Sequence, residues 1–302
     1  MTTPPTSPRT AAGLAAAATI LVGASVPVTG LLDGYPVLSA QALRYGIGAV
    51  LLLGWLRGRV RLPSPRDLAG LLLMVGAGSL GFNAAVLVAQ RYATPGFVAA
   101  MLGASPLVLA VAAPLLAGRR PAVVALLGAA LVGLGVVVLS GGGSWHGPGL
   151  LLAVLVVACE VLFTLGGVGV VRRLGAVTAS FWACAGSAVG GALLSTLWLG
   201  TDAWPAPTGT EVLTIVVLGT LVTAVAFGCW YTGVAVLGAD RAGVLIGLMP
   251  VAGLVAAVLL GRQEPTAVAA GGALVVAAGC VLGLSRRAPS AARPAPRPAA
   301  VR

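Results

Sequence analysis

Lysine is absent from this 302-residue chain, histidine occurs once, and Asp and Glu together number seven. Charged residues make up 8% of the sequence, against roughly a quarter in an ordinary globular domain, while hydrophobic residues reach 59%. That balance excludes a water-soluble fold. The lone His146 stands in a glycine-rich loop, so no catalytic triad can be assembled around it and no catalytic residue is expected. Cys159, Cys184, Cys229 and Cys280 lie inside apolar runs without C-x-x-C spacing. Neither a zinc site nor a disulfide framework is supported, and the four read as packing residues. No metal and no cofactor is expected. The formal charge of +11 rests on arginine alone, in short clusters between apolar runs. Such clusters suit anionic lipid headgroups rather than nucleic acid.

What is abundant is long apolar sequence. About 20 residues at about 1.5 Å each cross a bilayer core of about 30 Å. Ten runs meet that length, approximately 11–32, 36–56, 68–90, 95–117, 121–140, 148–171, 177–199, 211–233, 241–261 and 265–285. Alternating the connecting loops between two sides tests the count. Fifteen arginines fall on one side and only Arg91 and Arg262 on the other, which also holds Asp33, Asp202, Glu211 and Glu264. By the positive-inside rule both termini are cytoplasmic. The first span is longer than a signal-peptide core and is expected to stay attached. Trp55, Trp145, Trp198 and Trp204 fall at span ends or in neighbouring loops, where an amphipathic ring suits the interface.

A shift of 144 residues places Gly103 on Gly247, Pro106 on Pro250, Pro121 on Pro265, Gly128 on Gly272 and Gly135 on Gly279. Over residues 103–137 the two copies share 15 identities in 35 positions, where composition alone gives about 6. The unit is five spans, and an odd number forces the second copy to enter the membrane from the opposite side. The expected fold is therefore an all-α integral membrane protein of ten transmembrane helices in two inverted five-helix repeats. A disordered cytoplasmic tail over 1–10 precedes the first repeat at 11–140. The second repeat spans 148–285, and a disordered basic cytoplasmic tail spans 286–302.

The first copy carries Gln90-Arg91-Tyr92-Ala93, Ser105-Pro106 and Gly128-x6-Gly135; the second carries Trp230-Tyr231-x-Gly233, Ala239-Asp240-Arg241-Ala242, Met249-Pro250 and Gly272-x6-Gly279. In this arrangement, over residues 11–285, the chain resembles the EamA-like branch of the drug/metabolite transporter superfamily. It departs from the family pattern where an acidic residue usually follows the glycine ending the fourth and ninth spans: Arg119 follows Gly118, and Glu264 is displaced from Gly261. The resemblance implies export of amino acids, metabolites or drugs.

Polar residues inside spans supply the candidate site. Glu160, about 12 residues into the sixth span, is the one acid near mid-membrane, and it shares a helical face with Ala153, Thr164 and Gly167. Such a carboxylate, costing about 3 kcal/mol to insert when ionised, is a candidate for proton coupling or cation binding; the alternative is a protonated packing residue. Arg44, on a face with Gln41 and Gly48, could bind a substrate carboxylate, pair with Glu160 or snorkel to the interface. Ser79, Asn83 and Gln90 line one face of the third span, and Thr220, Thr223, Phe227 and Tyr231 one face of the eighth, as walls of a cavity or as interhelical hydrogen-bonding groups. Trp182 and Trp230 offer rings for stacking or packing. Pro106 and Pro250, at matching places in the two copies, are candidate hinges.

The expected function is secondary active transport of a small organic solute by alternating access, with protons as a candidate coupling ion. The expected partners are that solute and membrane lipid, with no nucleic acid, in a monomer or homodimer of the inner (plasma) membrane. A lipid scramblase, a channel or a lipid-modifying membrane enzyme are the alternatives; an enzyme would need clustered acids or an interfacial histidine base.

Overall fold

The computed structural model describes residues 6–32, 34–141, 143–261, 264 and 266–285. Residues 1–5 of the expected tail over 1–10, the whole expected tail over 286–302, Asp33 and Arg262 lie outside them. Ten apolar helices account for the fold: α1 (Pro8–Leu32), α2 (Val37–Trp55), α3 (Pro65–Ala89), α4 (Phe97–Leu116), α5 (Val123–Ser140), α6 (Gly149–Leu174), α7 (Ala176–Ala203), α8 (Gly209–Leu237), α9 (Ala239–Leu259) and α10 (Ala267–Leu284).

Local chemistry sets the helix ends. The backbone N–H of Thr10 donates to Ser7 Oγ at 3.1 Å and Pro8 follows the cap, so α1 begins inside the segment expected to be disordered. Capping boxes start α3, from Ser64 and Asp67, and α8, from Thr208 and Glu211. Single glycines at positive φ, Gly175 (88°) and Gly238 (87°), join α6 to α7 and α8 to α9. Only a residue without Cβ adopts that conformation cheaply, which makes these connections short.

The two halves meet about a pseudo-two-fold axis between α5 and α10. A methyl group on Gly128 would lie 2.8 Å from the Gly279 carbonyl oxygen, and one on Gly279 would lie 2.7 Å from that of Gly128. The same reciprocity joins Gly135 and Gly272, each at 2.8 Å. Since Gly128 corresponds to Gly272 and Gly135 to Gly279, the two contacts are images of each other under the repeat. Without a hydrophobic drive between helices in lipid, such backbone approach is what dispersion packing requires. The remaining packing follows the same symmetry: α3 lies against α6 as α8 lies against α1, and α2 lies against α7.

The helical interruptions repeat as well. Residues Met74–Gly81 of α3 and Leu218–Val225 of α8 are π-helical, and the two segments stand 144 positions apart. In α4 the helix breaks at Gly103–Ala104, and in α9 it tightens to a 3-10 turn over Val244–Gly247. Pro106 and Pro250 therefore do not bend continuous helices as their spacing suggested. Each sits in the first turn of the helical segment after a break, where a missing N–H is tolerated.

Candidate functional site

The interior between the repeats holds a cluster of polar and aromatic side chains from α2, α6 and α8. Arg44 on α2 donates from Nε to Thr223 Oγ1 at 2.8 Å, reaches Gln41 Oε1 from Nη1 at 3.5 Å, and lies 5.2 Å from the Tyr45 ring centroid. Two glycines allow this approach. A methyl group on Gly48 would fall 2.6 Å from Thr223 Cγ2, and one on Gly219 would fall 2.9 Å from the Arg44 carbonyl oxygen. The π-helical segment matters too, because Thr223 Oγ1 donates to the Leu218 carbonyl five residues back at 3.0 Å. Its hydroxyl thus accepts from the guanidinium while satisfying its own helix.

The aromatic wall forms around α8. Phe163 lies 5.3 Å from Phe227 and 5.4 Å from Tyr231 between ring centroids, and Tyr45 lies 6.0 Å from Phe227. The Tyr231 hydroxyl donates to the Phe163 carbonyl at 3.2 Å. A methyl group on Gly167 would overlap the Tyr231 ring, so the glycine makes the slot in which the ring lies.

Glu160 is buried on α6. Its carboxylate does not pair with Arg44; the single ion pair among the described residues joins Asp67 and Arg173. Thr223 and Gln41, not the acid, hold the Arg44 guanidinium. One turn from Glu160, Thr164 is fully buried with a hydroxyl that meets no hydrogen-bond partner, and Ser79 on α3 is in the same condition. Asn83 donates from Nδ2 to the Ser79 carbonyl at 2.6 Å, engaging an acceptor within the π segment.

Other expected residues fall elsewhere. Trp182 donates its indole N–H to the Arg61 carbonyl at 2.9 Å, near the arginine-rich end and away from the cluster. Gln90 is exposed and lines a groove of about 320 Å³ with Arg91, Thr94, Ser144 and His146, not the wall that Ser79 and Asn83 share. Trp230 is buried on α8 with its indole N–H unpartnered. Phe163, which joins the two aromatic residues of α8 to α6, had no distinguishing mark in an apolar run.

Two segments of the chain, residues 9–141 and 147–285, match the model of the EamA-like transporter family. The chain belongs to the EamA-like transporter family. The pair of matches covers both halves, as the paired helical interruptions require. As a member of the drug/metabolite transporter superfamily, this EamA-like protein is a multi-pass membrane protein of a family of small-solute transporters. A protein of known crystal structure superposes with a TM-score of 0.77 at 23% identity, covering 91% of this chain and 96% of its own, which establishes the shared fold. No curated protein matches the sequence.

Proposed function

We propose that this EamA-like protein is a secondary exporter of a small organic solute of the amino acid, metabolite or drug type, working by alternating access. Two inverted halves suit that cycle, since exchanging their conformations turns a cavity open to one side into a cavity open to the other. The arginine-rich end is the cytoplasmic one in the inner membrane, and both termini lie there.

The observation that carries the proposal is a buried carboxylate without a cation. Glu160 is buried with no ion-pair partner among the described residues, one turn from the unpartnered Thr164 hydroxyl and from Phe163 of the aromatic wall, while Arg44 is held by Thr223. Leaving an ion uncompensated in an apolar interior is costly, so the site calls for a proton or a positively charged group. Arg44, Ser79, Asn83, Thr164, Thr223, Phe227 and Tyr231 bind the solute, and Glu160 couples its movement to protons. Solute, protons and surrounding lipid are its partners, as a monomer or homodimer.

Uptake into proteoliposomes across a panel of amino acids, nucleobases and cationic dyes, with and without an imposed pH gradient, tests this. One class of solute is expected to move, faster under the gradient. Wild-type rates and an unchanged pH profile in Glu160→Gln would remove the coupling role.

A further inference from the structure

The two ends of the molecule are built from corresponding parts, and one part is missing from one end. At the arginine-rich end, Ser64 donates to Asp67 Oδ2 from its backbone N–H at 2.8 Å and from its hydroxyl at 2.6 Å. At the opposite end, Thr208 donates to Glu211 Oε2 from its N–H at 2.7 Å and its hydroxyl at 2.8 Å. Ser64 and Asp67 become Thr208 and Glu211 under the 144-residue shift. The loops before the two helices are tethered in the same manner. The Arg61 carbonyl accepts from Trp182 of α7 at 2.9 Å, and its counterpart, the Pro205 carbonyl, accepts from Tyr35 just before α2 at 3.3 Å. Burial and the nearby Glu211 charge both push the Tyr35 hydroxyl above its usual pKa, placing that acid beside the tether.

The correspondence fails at one position. Asp67 Oδ1 accepts from Arg173 Nε at 2.5 Å, and Arg173 Nη2 donates to the Arg66 carbonyl at 3.2 Å. These bonds join α3 of the first repeat to the last turn of α6 in the second. Where α1 ends, the stretch that lies against α8 is Gly30–Leu32, and Val26–Leu32 contains no basic residue. Glu211 therefore caps α8 without a cation from the facing repeat. The Asp67 side chain is 2% exposed and that of Arg173 45%, so the acid is sheltered while the guanidinium remains reachable by water.

We propose that the Asp67–Arg173 pair is a one-sided latch that holds the repeats together at the arginine-rich end, and that the lack of a cation at the end of α1 leaves the opposite end easier to open. This rests on the alternating-access reading. Inverted repeats of equal strength would favour neither end; an ion pair at one end biases the equilibrium by the difference between the two closures. Glu211 is a ready partner for a cation placed at Leu32, which packs near Ile215 one turn along the same helix, and this makes the asymmetry reversible by one substitution.

Hydrogen–deuterium exchange of the full chain in lipid nanodiscs tests the latch without a known solute. Arg173→Gln keeps the Ser64–Asp67 cap and removes the pair. Exchange of residues 61–67 and 170–174 is expected to rise about tenfold, while residues 205–211 are unchanged or better protected. Leu32→Arg is expected to slow exchange over 205–211, and Arg173→Lys to restore part of the protection lost in Arg173→Gln. Ser64→Ala, which weakens the cap but keeps the cation, separates capping from latching. Unchanged exchange at the arginine-rich end of Arg173→Gln, or equal loosening of both ends, overturns the latch. Solute uptake by the same preparations separates the two claims. A wild type that moves no solute counts against the transport reading, whereas uptake without an exchange response counts against the latch.

Discussion

Ser79 and Thr223 occupy the same register of matched π-helical segments, yet only the Thr223 hydroxyl has partners, accepting from the Arg44 guanidinium and donating to the Leu218 carbonyl. The difference follows from what faces each: Arg44 of α2 supplies a donor to Thr223, whereas the α7 residues against the π segment of α3 are Gly186, at Val75, and Gly190, at Leu80, which offer no side-chain donor. One hydroxyl is thus occupied by the protein and its counterpart is left for something else. Ser79→Ala should cost no stability, since it removes no hydrogen bond, and should raise the KM for the transported solute severalfold. Thermal melting in detergent and uptake kinetics check the two halves of that statement.

Thr223→Val should act through Arg44. The substitution keeps shape and removes the acceptor, and a hydrogen bond to a charged group is worth about 1.5–3 kcal/mol. Transport is expected to fall by about tenfold or more, with helix content unchanged by circular dichroism. Arg44→Lys should do no better, because an ammonium cannot both reach Thr223 in the manner of Nε and lie against the Tyr45 ring.

Much of the architecture was legible because it depends on composition and spacing: span lengths, alternating arginines and glycines repeated at 144 residues. The π segments were not. Met74–Gly81 and Leu218–Val225 share only the Ser/Thr at Ser79 and Thr223, so nothing in their hydropathy separates them from α-helix. Glu160, Thr223 and Tyr231 were found because polar groups in a span are conspicuous, while Phe163 was hidden among equally apolar neighbours. The possible Arg44–Glu160 pairing failed for a physical reason: Gly48 and Gly219 bring α2 against α8, which delivers Thr223 to the guanidinium. The Asp67 cap was readable as Ser-x-x-Asp, but its tie to Arg173 spans 106 positions and no local pattern encodes it.

The reciprocal glycines of α5 and α10 should be intolerant of any side chain. A methyl group on Gly135 would sit 2.7 Å from the Val276 backbone nitrogen, and one on Gly272 would sit 2.6 Å from that of Leu139. Backbone cannot rotate away, so the helices must separate, at a cost of about 1–3 kcal/mol. Gly135→Ala and Gly272→Ala are each expected to lower the detergent melting temperature. Gly271→Ala, where the added methyl meets open space, should not.

Gly167 and Tyr231 should behave as one unit. Gly167→Ala places a methyl group into the Tyr231 ring, which is fully buried and tied to the Phe163 carbonyl, so the ring must leave its slot and the aromatic wall with it. Transport is expected to fall by about tenfold or more, as does that of Tyr231→Val, which empties the slot. If the damage in Gly167→Ala comes from the collision, adding it to Tyr231→Val costs little further, since the ring it would strike is gone. A double-mutant cycle on uptake rate should then show coupling of about 1 kcal/mol or more between the positions. Additive losses would mean that Gly167 serves the helix backbone instead and that the ring's position does not depend on it.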